Sequence, residues 1–375
     1  MTARVFVKAC SYERDEAVRV VGEALAVALG AVAPPLSLKG KRVLLKPNLA
    51  IARGPERAAT THPAVIGAAI DELRQLGAEV LVGDSPAGAV RGVRRVWRET
   101  GVEGVCRDRG AVLVNFEAAG WCERTVEGRT YKISRAVTDC DLIIGLPKFK
   151  AHILTVLTGA IKNMFGCVPG FDKSRFHLLY PRPQAMSTVL VDVFSLTAPA
   201  VTVVDAVEAM DGNGPSSGRV RNLGFIAAGA DAVALDAVLA RLVGIDPLRV
   251  PTTREAWRRS LGEARLDRIQ LEGDPVDRLA VGDFRVPSNW QFSLVPSLLG
   301  RLAARWFWVK PVVDPRACTG CGDCERACAA SAIAVGPGGK AEVAEARCVS
   351  CLCCIEVCTT GAVAPTKSAL ARLVK

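Results

Sequence analysis

The chemistry most plainly written into this chain is that of eight thiols at fixed gaps. Cys318, Cys321, Cys324 and Cys328 fall in CTGCGDCERAC, and Cys348, Cys351, Cys354 and Cys358 in CVSCLCCIEVC. Each run places three cysteines at two-residue gaps and a fourth after a three-residue gap. That is the spacing with which a chain cages two 4Fe–4S clusters, the fourth thiolate of each run crossing to the other cluster. The expected sets are therefore Cys318, Cys321, Cys324 and Cys358 for one cluster, and Cys348, Cys351, Cys354 and Cys328 for the other. A zinc ribbon takes its ligands from paired C-x-x-C motifs and does not repeat the three-residue gap. A disulfide framework belongs to small secreted chains. Cys353 breaks the gap rule and reads as a neighbour of the clusters, not a ligand. Ala329 and Thr359 follow the fourth cysteines, where proline is usual, so each keeps an N–H that proline lacks. An added N–H near a cluster sulfur is expected to raise the reduction potential.

At 375 residues, half of them hydrophobic, the chain can bury one large core and a small one. Aromatics make up only 5%, so the core must be built from Ala, Val and Leu. The N-terminal MTARVFVKACSYERDE shows a short apolar strand followed at once by charge, not a signal peptide. No apolar run reaches membrane-spanning length. A cytoplasmic location is expected, where thiols stay reduced. Of the scattered Cys10, Cys106, Cys122, Cys140 and Cys167, four read as small buried hydrophobes. The net charge is +10, with arginines concentrated at Arg91, Arg94, Arg95, Arg98, Arg107 and Arg109. A nucleic-acid patch, a solvated helix face and a docking face for an acidic redox partner are all open readings. The shortage of aromatics to stack bases disfavours the first.

These thiols and charges need a scaffold, and the pattern supplies one. RVFVKA, KRVLLKPNL, AEVLVGDSP, AVLVNF, DLIIGLPKFK, AVTVVDAV and LGFIAAG read as strands. EAVRVVGEALAVALG, HPAVIGAAIDELRQLG, VRRVWRETG, VEGVCRDRG and DAVALDAVLARLVG read as helices. Such alternation predicts an α/β fold, a mostly parallel sheet with helices on both faces. A small α+β module carries the cysteines. The expected boundaries are 1–290 for the large domain, 291–312 for a linker and 313–368 for the cysteine module. The linker, QFSLVPSLLGRLAARWFWVKP, has apolar residues at helical spacing. It packs the module onto the large domain or lies on a membrane surface; its shortness and its run straight into Cys318 favour docking.

In parallel sheets the ligand crevice lies at the carboxyl ends of the strands. Lys46, Asn48, Asp84, Ser85, Lys148, Lys150 and Asp205 all stand at such ends. The stretch 145–177 adds His152, Lys162, Asn163, Lys173 and His177, so it holds two of the three histidines, the third being His62. A helix starting near His152 is expected, with Thr155, Thr158, Gly159 and Lys162 on one face. A lysine-rich strand-to-helix junction is a natural anion site, and Gly166, Pro169 and Gly170 mark a tight loop beside it. Residues 205–219, DAVEAMDGNGPSSGR, read as a polar loop offering Asp205, Asp211, Gly212 and Gly214. Neither the Walker A spacing nor GxGxxG is present. Lys148, His152, Lys162 and Asp205 are the candidate catalytic groups. Lys46, Asn48, Asp84, Ser85, Lys150, Asn163, Asp211, Gly212 and Gly214 are the candidate ligand binders, with Asp84 and Asp211 also open to proton transfer.

LKPNL, GDSP, LPKFKAH…TGAIKNMFGCVPG and DAVEAMDGNGPSSG resemble the DUF362 family over nearly the whole chain, most specifically over 145–170. Many members of that family carry a C-terminal two-cluster module of the bacterial ferredoxin type. The resemblance implies a conserved large domain joined to Fe–S clusters in anaerobic metabolism, with no established reaction. The family is distantly similar to the lactate racemases, whose nickel-pincer cofactor is held by lysine and histidine. The motifs differ, and no ligand is carried over. The leading expectation is an oxidoreductase-like redox protein whose two 4Fe–4S clusters connect a partner protein to an anionic substrate in the large domain. The alternatives are a plain electron carrier whose large domain docks partners, and a binding protein with structural clusters.

Overall fold

The computed structural model describes residues 2–34, 36–86, 92–212, 214–216, 218–287 and 309–368. Most of the expected linker, 291–308, lies outside the described residues.

The large domain contains strands β1 (Ala3–Ala9), β2 (Arg42–Pro47), β3 (Glu79–Asp84) and β4 (Val112–Asn115), then a hairpin of β5 (Trp121–Val126) and β6 (Arg129–Ser134). It continues with β7 (Leu142–Leu146), β8 (Lys148–His152), β9 (Val156–Thr158), β10 (Val201–Asp211), β11 (Arg219–Gly229) and β12 (Ile269–Gly273). The main sheet runs β12-β1-β11-β10-β7-β2-β3-β4, with β8 paired to β10 and β9 to β8. Its neighbours are parallel except where β11 lies between β1 and β10 and where β9 turns back on β8. The sheet is covered on both faces, as its strands show by alternation. Val5, Val7 and Leu44 join one core with the helices Pro183–Thr197 and Ala232–Leu242. Phe6, Val43 and Leu45 join the other with Arg14–Gly30 and Pro63–Gln75.

Two local expectations are corrected. No helix begins near His152. Instead β8 and β9 form a tight antiparallel pair, and only Ala160–Asn163 is helical, followed by a 3-10 turn at Met164–Cys167. Thr155 and Thr158 are β-branched and favour extended backbone, and Val156 takes the left-handed φ of 69° at the turn. His152 Nδ1 accepts from Leu154 N and Thr155 N, closing the turn. The supposed face of Thr155, Thr158 and Lys162 therefore does not exist as a helical stripe. Nor is 205–219 a loop throughout, because Asp205–Asp211 completes β10, paired with β11 on either side of a bulge at Val207.

The cysteine module pairs β13 (Val309–Val313) with β16 (Val363–Lys367) and β14 (Ile333–Val335) with β15 (Ala341–Val343). Short helices at Asp323–Arg326 and Cys353–Val357 complete it. Its core includes Cys318, Cys324, Cys354 and Cys358, and Ile153 of the large domain packs against it.

Candidate functional site

Two cavities in the module sort the cysteines. One is lined by Cys318, Cys321, Cys324 and Cys358. The other is lined by Cys328, Cys348, Cys351 and Cys354. Each thus takes three thiols from one run and one from the other. Left-handed backbone at Gly320 and Gly322, and at Ser350 and Leu352 in the second run, lets the chain curl around each cavity. Among the described residues no three His, Cys, Asp or Glu side chains converge closely enough for a single metal ion. Four thiols spaced around a void are the donor set of an iron–sulfur cluster, so the residues fit the group. Burial raises Cys324 to about 11 and lifts Cys354 well above the ordinary thiol. N–H donation from Ala341 and Gly320 lowers Cys318. Ala341 N reaches Cys318 Sγ at 3.4 Å and Ala332 N reaches Cys328 Sγ at 3.1 Å. Ala329 and Thr359, the expected extra donors, make no such bond among the described residues. Cys353 is buried but lines neither cavity.

Beneath the module, the strand ends bring Lys46, Asn48, Asp84, Ser85, Lys148, Lys150, Asn163 and Asp205 into one buried polar layer. Lys148 and Asp205 are both 0% exposed and paired at 3.0 Å. Asp205 also accepts from Tyr12 Oη at 2.9 Å and His62 N at 2.8 Å, and Tyr12 stacks on His62 at 3.6 Å. Lys46 pairs with Asp84 at 2.7 Å and reaches Asn163 Oδ1 at 3.3 Å. Lys150 donates to Ala59 O at 2.6 Å and Asn48 Oδ1 at 3.3 Å, and Lys173 to Ser85 O and Val168 O, each at 3.0 Å. The N–H groups of Ala160 and Ile161 are taken by the Asp236 carboxylate, at 2.7 and 3.1 Å. The short helix end is thus filled from within the chain and is not an anion site.

Gly166 lies over the Lys46–Asp84 pair: a Cβ there would stand 1.9 Å from Asp84 Oδ1 and 2.6 Å from Lys46 Nζ. Gly166→Ala is expected to force the pair apart and lower stability by about 1–3 kcal/mol, seen as a lower urea midpoint. Asp211 and Gly212 bond outside this layer, whereas Gly214 lies against β8, where a Cβ on it would stand 1.9 Å from Ala151 O. Asp211 pairs with Arg219 at 2.8 Å and Arg221 at 3.0 Å. Gly212 N donates to Arg285 O at 2.6 Å, and Gly214 O accepts from Ile153 N at 3.2 Å.

Residues beyond the sequence candidates join the site from the module. Glu356 Oε1 meets His152 Nε2 at 2.9 Å. His152 Nδ1 already accepts two backbone N–H bonds, so Nε2 carries the proton and donates. Burial lowers His152 to about 3, which keeps it neutral. Burial raises Glu356, but the hydrogen bond from His152 and the electrostatic pull of Lys162 oppose it and hold the carboxyl well below its usual range. Arg53 donates to Cys358 O and Ser216 O, and Ser216 Oγ to Ile355 O at 2.7 Å. These bonds pin the cluster-bearing segment to the large domain.

Burial, then the charge of Lys162, lowers Lys150 to about 7; burial lowers Lys173 to about 8. An unfolded lysine titrates near about 10.4. Between these values the unfolded chain holds protons that the folded chain does not, so stability rises with pH. The penalty of burying these amines is fully present below about pH 7 and is relieved above it. Cys10, Cys106 and Cys167, raised to about 12 by burial, oppose the trend once unfolded thiols ionise near about 8.5. Denaturation midpoints should therefore climb from about pH 7 to about pH 8.5, and Lys150→Met should flatten the climb.

The family model for a domain of unknown function (DUF362) matches residues 43–241, and a 4Fe-4S binding domain matches residues 310–333. The thylakoid-associated protein sll1697 of Synechocystis sp. (strain ATCC 27184 / PCC 6803 / Kazusa) is 34% identical over 281 residues, 74% of this chain and 86% of that protein. The lactate racemase apoprotein from Thermoanaerobacterium thermosaccharolyticum superposes with a TM-score of 0.41 at 15% identity, covering 61% of this chain. The chain spans about half, 54%, of that structure. No helix among the described residues is long and apolar enough to cross a membrane. With its family match spanning the polar strand ends and its cluster-binding match at the first cysteine run, the chain belongs to the DUF362 family and carries an iron–sulfur module.

Proposed function

We propose that the protein is an iron–sulfur oxidoreductase in which two 4Fe–4S clusters exchange electrons between a partner protein and an anionic ligand in the large domain. The observation that carries this reading is the helix Cys353–Val357. Glu356, between the cage thiols Cys354 and Cys358, reaches His152 at 2.9 Å in the lysine-rich layer. When loaded, the cages supply one-electron chemistry at cysteine-tuned potentials. The chain's own residues do the rest. Lys148 and Asp205 hold the layer rigid, while Lys150, titrating near about 7, can give or take a proton at neutral pH. Lys162, which makes no hydrogen bond or ion pair among the described residues, leaves an amine open to a ligand. His152 and Arg53 fix the module over the site.

The test uses anaerobic holoprotein reduced with dithionite and followed by electron paramagnetic resonance. A low-molecular-mass cell extract should reoxidise the native protein faster than a His152→Ala, Lys162→Ala variant with the same iron content. Equal rates would leave a plain electron carrier. Loss of iron on reduction would sink the redox reading altogether.

A further inference from the structure

Glu356 is the module's only carboxylate set into the large domain's cationic layer by a described contact, and its surroundings are unevenly used. Its side chain is 17% exposed, yet the one hydrogen bond described for it is the single bond from His152 Nε2 to Oε1. A carboxylate accepts at about four lone-pair positions. Around it stand donors that are not engaged. Burial lowers the Lys162 amine, the Glu356 charge opposes that shift, and the amine makes no hydrogen bond or ion pair among the described residues. His177 is 3% exposed, its ring interacts with Glu356 and Lys162, and its buried Nδ1 has no partner. Buried polar groups are normally satisfied. A neutral histidine left open within electrostatic reach of an unpaired amine is therefore a group that a ligand can complete.

We propose that Glu356 is a built-in occupant of a small-carboxylate site formed by His152, Lys162 and His177, and that a free carboxylate displaces it. The inference rests on the anionic-ligand reading above and names the ligand's class. The stand-in defines the chemistry. His152 Nε2–H already orients one carboxylate oxygen, and Lys162 matches a single negative charge as an ammonium donor. A small carboxylate, not tethered to the Cys353–Val357 helix, can keep the His152 bond and add Lys162 and His177. Because both occupants use the same donors, ligand entry and docking of the cluster-bearing helix exclude each other at this point. The two cages stay intact in either state, since Glu356 lines neither cavity. No covalent or redox step is involved.

The experiment is calorimetric titration of sodium acetate into anaerobic, fully iron-loaded protein with oxidised clusters, so no electron transfer enters the reading. Glu356→Ala should bind acetate at least about tenfold more tightly than the native chain, a change of about 1.4 kcal/mol. Adding Lys162→Ala should reverse that gain. Iron-replete Glu356→Ala that binds no acetate, binds phosphate in preference, or keeps its affinity without Lys162 overturns the proposal. Should Glu356→Ala fail to load iron, hydrogen exchange on the native holoprotein decides. Saturating acetate should speed amide exchange across 353–357 several-fold, and unchanged exchange overturns it. Failure here, with extract-driven reoxidation still dependent on Lys162, would leave the electron-transfer reading standing and remove only the carboxylate assignment.

Discussion

Replacing both Cys328 and Cys348 with alanine is expected to leave about half the iron, whereas replacing both Cys318 and Cys328 should remove nearly all of it. The contrast follows from how the thiols line the cavities. Cys328 belongs to the first run but lines the void formed by Cys348, Cys351 and Cys354. Cys358 belongs to the second and lines the void of Cys318, Cys321 and Cys324. The first double change thus strikes one cage twice, and roughly four of about eight irons should remain. The second strikes both cages. If each run caged its own cluster, the two outcomes would swap. Iron and sulfide analysis of anaerobically purified protein reads the difference directly. Cys353→Ala should leave the iron count unchanged, since Cys353 lines neither void.

The crossed lining was legible because ligand spacing is a local property, written within a few residues on either side of each thiol. The strand ends were legible for a related reason. Lys46, Asp84 and Lys148 each follow an apolar run buried on both faces, where the change to polar residues marks the crevice end of a parallel sheet. The segment after Lys148 was not. Its alternation of β-branched and small residues suits strand or helix at that length, and pairing settles it: Lys148 sits opposite Asp205 and His152 opposite Val156. Asp211 was misplaced for want of register. Once β10 and β11 pair, Arg219 stands directly across from it and neutralises it. The module's contribution was invisible because its contacts span the chain. His152 and Glu356 are separated by 204 positions, and Arg53 and Cys358 by 305. Tyr12, 193 positions from Asp205, belongs to no motif. These are consequences of folding, with no local signature to find.

Asp205→Ala is expected to be the most destabilising single change in the polar layer, at about 3–5 kcal/mol. The carboxylate is fully buried and serves four donors. Tyr12 Oη and Val207 N reach Oδ1 at 2.9 and 3.3 Å; His62 N and Lys148 Nζ reach Oδ2 at 2.8 and 3.0 Å. Removing it strands an ammonium that is 0% exposed, and an uncompensated buried charge is far worse than a missing pair. Burial already lowers Lys148, with Asp205 opposing that shift, so without the carboxylate the amine should shed its proton. Lys148→Met should cost less than Asp205→Ala, because Asp205 keeps Tyr12, His62 and Val207 as donors. Combining Asp205→Asn with Lys148→Met should recover about 1–3 kcal/mol relative to the sum of the single changes. Urea unfolding of the iron-loaded protein provides all of these values. Strict additivity, or a loss below about 1 kcal/mol for Asp205→Ala, would show that the layer is held by its packing rather than by this ion pair.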